Sequence, residues 1–285
     1  MKVVLEKLLR HPDPAVRFLT LTDVLGKDLD DPVVLSTQAS MAGSPSVGAI
    51  LSAQYPAGYW MHPGLGISPR YRATAWQVLF LAQLGARSLP QLKKAARFLA
   101  AHNIDDAGAF CIRRGPDGRS PALTAALLWA LGRAGFIEEP RLSQSWAWFV
   151  ETFAEATVDL SSDPGTLIWG LRAAALWGHG DLLADLWGST SGADAAMALP
   201  TALTFPLTHQ PDRLAYLEMV VEIGQQAEIT ASLLDWLAAQ QNDDGFWPLE
   251  HVPGHLWWNP GPLGCGNPWI TIRALKVLMR CGYLP

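Results

Sequence analysis

Charge is scarce in this chain. Asp, Glu, Lys and Arg make up only 16% of its 285 residues, where roughly 25% is usual for a soluble domain. The net charge of -5 gathers into no basic stripe, which argues against a nucleic-acid partner. The cysteines Cys111, Cys265 and Cys281 are odd in number and widely spaced; they form no disulfide framework and suit a reducing compartment. No apolar run approaches the roughly 18 residues of a membrane span, so no transmembrane helix is expected. Glu6, Lys7 and Arg10 interrupt the N-terminal stretch, which does not read as a secretory signal. Together these absences predict a cytoplasmic protein, with peripheral membrane contact left open. Strand-like alternation of useful length is also missing, which predicts the all-α class.

Apolar side chains, by contrast, are plentiful. Hydrophobic residues reach 49%, with 13 Trp, enough for a large apolar interior or an interior around an apolar cavity. They are organised by a unit that recurs: a capping residue, Pro, about three turns of apolar helix, then Gly. The openings are Asp13-Pro14, Ser68-Pro69, Ser120-Pro121, Asp163-Pro164, Gln210-Pro211 and Asn267-Pro268. Gly26, Gly85, Gly135, Gly178, Gly224 and Gly282 close them. Thr74, Thr124, Thr166 and Thr271 stand near the start of four copies. A repeat running end to end predicts a single domain over residues 1–285.

Other helices alternate with these units. Residues 2–10 form a short amphipathic helix, and Asp31-Pro32 starts another that residues 44–54 continue. Return helices follow from Pro90, from Pro140 and over residues 229–241; Gly188, Ser189, Thr190, Ser191 and Gly192 read as a break. Five return helices lie between the units, and residues 2–10 can supply the sixth beside the last unit. Six helical hairpins closed in this way would make an α/α ring.

The segments Gln54…Gly58-Tyr59-Trp60 and Gln240…Gly245-Phe246-Trp247, with Asp106-Ala107-Gly108-Ala109-Phe110 as a degenerate copy, look like the QW motif of terpenoid cyclases. With the inner/outer alternation, the chain resembles the prenyltransferase and squalene–hopene cyclase repeat superfamily over nearly its whole length. The resemblance implies an α/α toroid of about six inner/outer hairpins, in which the motif Gln caps the next helix and Trp stacks beneath it. It assigns Gln54, Trp60, Gln240 and Trp247 to structure. For activity it implies an enzyme acting on an isoprenoid or similar apolar substrate, by cyclisation, isomerisation or prenyl transfer, in a central aromatic cavity.

In such a toroid the inner-helix N-termini converge at one end, where dipoles and free N–H groups favour an anion. Binding candidates there are Arg70, Tyr71, Arg72, Trp76, Arg113, Arg114, Trp169, Trp257 and Trp258, the arginines for a diphosphate and the aromatics for a carbocation. Asp163, Asp212, Asp244, His255 and Cys265 are the catalytic candidates; capping is the simpler reading of Asp163, and a turn that of Asp244. The superfamily's acid motif has a counterpart in Asp28-Leu29-Asp30-Asp31, but Pro32 follows, so Asp31 reads as an outer-helix cap. No cofactor is expected by default. His251, His255 and Cys265 offer a zinc-ligand alternative, as in the superfamily's protein prenyltransferases. Against the enzyme stands a non-catalytic toroid that binds a lipid or a protein, with its centre filled by side chains or left as an apolar pocket without a poised acid.

Overall fold

The computed structural model describes residues 2–136, 138–155, 162–179, 187 and 196–283, and every regular element among them is helical. The run Gly188–Gly192 lies outside the described residues. None of these helices is long and apolar enough to cross a membrane.

The helices are of two kinds. The first kind comprises α2 (Pro14–Leu19, continued by a π-helical turn, Thr20–Val24), α5 (Thr74–Gln83), α7 (Pro121–Arg133), α9 (Pro164–Trp177), α10 (Arg213–Glu222) and α12 (Pro268–Arg280). They carry apolar residues all round and bury nearly everything, as helices enclosed on every side must. The second kind comprises α1 (Lys2–Leu9), α3 (Pro32–Ala39), α4 (Pro45–Ser52), α6 (Pro90–His102), α8 (Pro140–Glu155) and α11 (Ala231–Ala239). In α6, Leu92, Ala95, Ala96 and Leu99 face inward at helical spacing while Lys93, Lys94 and Arg97 face water. The enclosed helices follow one another in space: α5 packs on α7, α7 on α9, α9 on α10, α10 on α12, and α12 on α2 and its π turn. The outer helices α6 and α8 pack on α5 and α7. One cluster of buried apolar residues runs from Val4 to Leu278.

The loops that lead into the enclosed helices share one construction. The backbone N–H groups of Trp60, Phe110 and Trp247 donate to the Oγ1 atoms of Thr74, Thr124 and Thr271, at 3.1, 3.0 and 3.0 Å. The indoles of Trp60 and Trp247 reach back to the carbonyls of Ile50 and Leu237, both at 2.7 Å. Each Thr therefore ties the start of an enclosed helix to the loop before it, and each Trp ties that loop to the helix before that. Gly58 and Gly108, at φ +97° and +105°, let the loop backbone lie on the next outer helix. A Cβ there would stand 2.7 Å from the carbonyl of Lys94 in α6 or 2.6 Å from that of Gln144 in α8. At Gly245 the corresponding neighbour is Val4 of α1, at 2.7 Å.

Several expected starts and partners shift. The glutamine that matches Gln54 is Gln241: Gln54 Nε2 donates to Gly58 O and Gln241 Nε2 to Gly245 O, whereas Gln240 only turns back onto Trp236 O. Gln54 also donates to Gln91 O at the start of α6, so it binds a carbonyl rather than capping free N–H groups. Pro69 does not open α5, which begins at Thr74; Pro69 O accepts the N–H groups of Arg72 and Ala73 in the preceding loop. At the fifth unit the cap is Asp212, which accepts from Ala215 N, and not Gln210. The helix expected from Asp31 through residue 54 is two, α3 and α4, each with its own cap, Asp31 and Ser44. The catalytic-motif counterpart Asp31 pairs with Lys27 and caps α3.

Candidate functional site

The N-terminal ends of the enclosed helices gather many of the candidate binding residues. Tyr71 lies edge-on to Trp76 with ring centroids 5.2 Å apart, and Trp76 meets the His209 ring at 5.7 Å. The Arg72 guanidinium sits 3.8 Å over the Trp257 ring, whose Nε1 donates to Arg72 O at 3.0 Å. Burial holds His209 below the ordinary imidazole value, Arg70 pushing the same way and Asp163 opposing, so the ring is neutral at pH 7. Beside this group, Tyr71, Pro200, Thr204, Thr208, Asp212 and His251 line an open cleft of about 250 Å³.

The helix N-termini themselves are already occupied by the chain's own acceptors. Asp163 accepts from Thr166 N at 3.0 Å and from its hydroxyl at 2.5 Å. Asp212 accepts from Ala215 N at 2.7 Å and Thr204 N at 2.9 Å, and pairs with Arg273 at 3.0 Å. Asn267 caps α12, Ser120 caps α7 and Asp13 caps α2. An incoming phosphate would have to displace these caps.

Other candidates stand elsewhere. Arg113 and Arg114 are exposed in the loop after Cys111, and the neighbouring Arg119 pairs with Asp105 at 2.6 Å. Asp244 is exposed in its turn, and His255 and Cys265 are exposed. Among the described residues no three His, Cys, Asp or Glu side chains are grouped as a metal ion would require. Trp258 belongs to the core, edge-on to Phe205 and Trp269. Trp169 is fully buried, donates to Thr208 O at 3.0 Å and meets Trp129 at 5.0 Å.

The densest polar chemistry lies between the enclosed helices, in residues that, Asp212 apart, sequence reasoning passed over. Arg172 of α9 makes a two-pronged contact with Glu222 of α10, Nε and Nη2 standing 2.7 and 2.9 Å from the carboxylate. Lys276 of α12 reaches the same carboxylate at 2.5 Å. Arg273 bridges Glu218 at 2.7 Å and Asp212 at 3.0 Å, and donates to Thr204 O at 2.7 Å. Arg133 of α7 pairs at 2.5 Å with Asp23 in the π turn. Burial would raise the Glu222 carboxyl, but Arg172 and Lys276 outweigh it and hold it far below the carboxylate range. For Asp23, Arg133 and then Lys276 likewise overcome burial and keep the acid ionised. The Arg172 guanidinium is also flanked by Trp129 and Trp169, at 4.6 and 4.9 Å from the ring centroids. These π faces, candidates for a substrate carbocation, already hold a cation of the chain. The cavity left among these groups is about 40 Å³.

One signal for this network is visible in the chain. Glu218 with Glu222 and Arg273 with Lys276 are charges at turn spacing on largely apolar helices, and Arg172 is the single charge of α9, where an unpaired charge would be costly. No family model matches the chain, and no curated protein matches it in sequence.

Proposed function

We propose that the chain is an α/α toroid that acts as a non-catalytic binding module, seating an apolar segment of a partner protein in the cleft at its helix N-termini. The succession of enclosed helices, with α12 back on α2, supports a ring. So does α1, which meets the Gly245 loop as α6 and α8 meet the Gly58 and Gly108 loops.

The observation that carries the functional reading is the size and content of the centre. About 40 Å³ remains there, walled by ion pairs, and the cavity of about 400 Å³ beside it is lined by four charged side chains, Asp23, Arg87, Arg133 and Glu138, whereas ligand pockets run to roughly 300–1,000 Å³ with mostly apolar and aromatic walls. Of the candidate acids, Asp163 and Asp212 are engaged as caps and Asp244 is exposed; a proton donor for alkene chemistry would instead be buried and held neutral. The cleft, with its three prolines, Tyr71 and polar rim, has the size of one or two peptide side chains.

The rival reading is a cyclase-like or prenyl-transferring enzyme, with zinc as an optional partner of His251, His255 and Cys265. Native mass spectrometry of the purified protein, elemental analysis and incubation with squalene and prenyl diphosphates separate the two. We expect no co-purified isoprenoid, no stoichiometric zinc and no turnover; finding any of them would return the enzyme reading to first place. A photo-crosslinker at Gln210 should capture a discrete protein adduct in cells, and one at Glu151 should not. Equal labelling from both positions would remove the cleft as the binding surface.

A further inference from the structure

The ion pairs of the centre do not use every donor. Arg172 is 4% exposed, its Nε and Nη2 are bonded to Glu222, and its Nη1 is buried with no partner. Arg172 lines the 40 Å³ cavity, together with Arg133, Lys276 and Arg273 as cations and Asp23 and Glu218 as acids. Arg133 and Arg172 flank the same indole, Trp129, at 5.7 and 4.6 Å, so their guanidinium groups approach the cavity from neighbouring sides.

Among the described residues, the charges facing this cavity and the one beside it do not cancel. Buried or half-buried cations number five: Arg87, Arg133, Arg172, Arg273 and Lys276. The acids bonded among them number four: Asp23, Asp212, Glu218 and Glu222. Arg87 makes no ion pair with any of these acids, and it lines a second cavity, of about 400 Å³, that shares the Asp23–Arg133 pair with the central one. Glu138, also on that outer cavity, is exposed to water and neutralises little. The wall of the central cavity itself carries Arg133, Arg172, Arg273 and Lys276 against Asp23 and Glu218, and leaves Arg172 Nη1 without a partner, a costly arrangement that a bound counter-ion relieves.

We infer that the central cavity is an anion site, which holds one small monovalent anion such as chloride against Arg172 Nη1 and between the side chains of Arg133 and Lys276. On the measure that gives the cavity about 40 Å³, one water needs about 10–15 Å³, so there is room for an ion with one or two waters. That size excludes diphosphates and carboxylate lipids. The outer cavity shares Asp23 and Arg133 with the central one, so this pair stands between the two. Asp23 faces the anion as a like charge, so it sets the affinity.

The test uses the full chain. Thermal unfolding is followed in sodium chloride, bromide and fluoride at constant ionic strength, with gluconate as the balancing anion, and crystals soaked in bromide are measured at its absorption edge. We expect a saturable rise in melting temperature with chloride and bromide, and one anomalous peak within hydrogen-bonding distance of Arg172 Nη1. Asp23→Asn, which removes the competing charge, should lower the half-saturating chloride concentration about tenfold. Arg172→Lys should abolish the halide dependence; should it fail to fold, the bromide peak and Asp23→Asn still decide. Water alone in the cavity, or an identical response to every salt, overturns the site. So does a halide response unchanged by Asp23→Asn.

Discussion

A carboxylate held between two buried cations is useful to the fold only while it is ionised, and Glu222 is in that position between Arg172 and Lys276. Its folded value lies far below the ordinary 4.5, and that of Asp23 lies below 3.8. Their stabilisation is therefore complete above those ordinary values and is lost as the pH falls through the folded ones. Urea midpoints should fall slightly as the pH drops below about 6.5, where the unfolded chain charges the imidazoles of His11 and His209 that burial disfavours charging, and then fall steeply below about pH 4.5. Glu222→Gln should cost about 3–5 kcal/mol at pH 7, because Arg172 and Lys276 lose their shared partner in a site with little water. The same variant should unfold with a shallower acid slope. An acid limb as steep as in the parent protein would mean that other carboxylates carry the pH dependence. These charges were open to view in the sequence, yet their partners were not. Arg172 finds Glu222 fifty residues on, and Arg273 finds Glu218 fifty-five residues back, and periodicity within one helix says nothing of such pairings.

Elements follow local chemistry more closely, and there the reading from sequence goes further. Pro at the first turn with an acid, Ser or Asn before it places α2, α3, α7, α9 and α12 correctly, because the cap side chain binds N–H groups within three residues. It fails at Pro69 and Pro211, where proline belongs to the loop and the helix starts later. The recurring Thr at the helix starts is also visible in the chain, but its bond to a backbone N–H fourteen or twenty-four residues earlier is not. That bond gives the loops a shared test. Thr271→Val keeps the shape and leaves the buried Trp247 N–H without an acceptor, which should cost about 1–3 kcal/mol. Thr271→Ser retains the oxygen and should cost under about 1 kcal/mol. Chemical denaturation of the two variants checks this; equal losses would place the effect in the methyl group and its packing.

At the scale of the whole molecule the question is whether the first helix belongs to the last repeat. Short amphipathic segments at a terminus are often loosely held, and α1 is only eight residues long. Its contacts argue otherwise. Leu8 is fully buried, Val4 stands where a Cβ on Gly245 would collide, and the Lys7 ammonium lies 5.6 Å over the Phe246 ring. The helix thus meets the third loop as α6 and α8 meet the first two, and it packs as well on α2 and the π turn. A terminal helix that only decorates the surface would tolerate truncation of Leu8 at a cost well below 1 kcal/mol, about the range of surface changes. Leu8 is a fully buried position, so Leu8→Ala should cost about 2–5 kcal/mol. The location of the damage separates closure from a general loss. In Leu8→Ala the amides of residues 242–247 should exchange faster, because their loop loses the surface it lies on, while those of residues 105–111 keep their protection. Uniform acceleration across both loops would mean that α1 stabilises the fold without sealing the junction between its two ends.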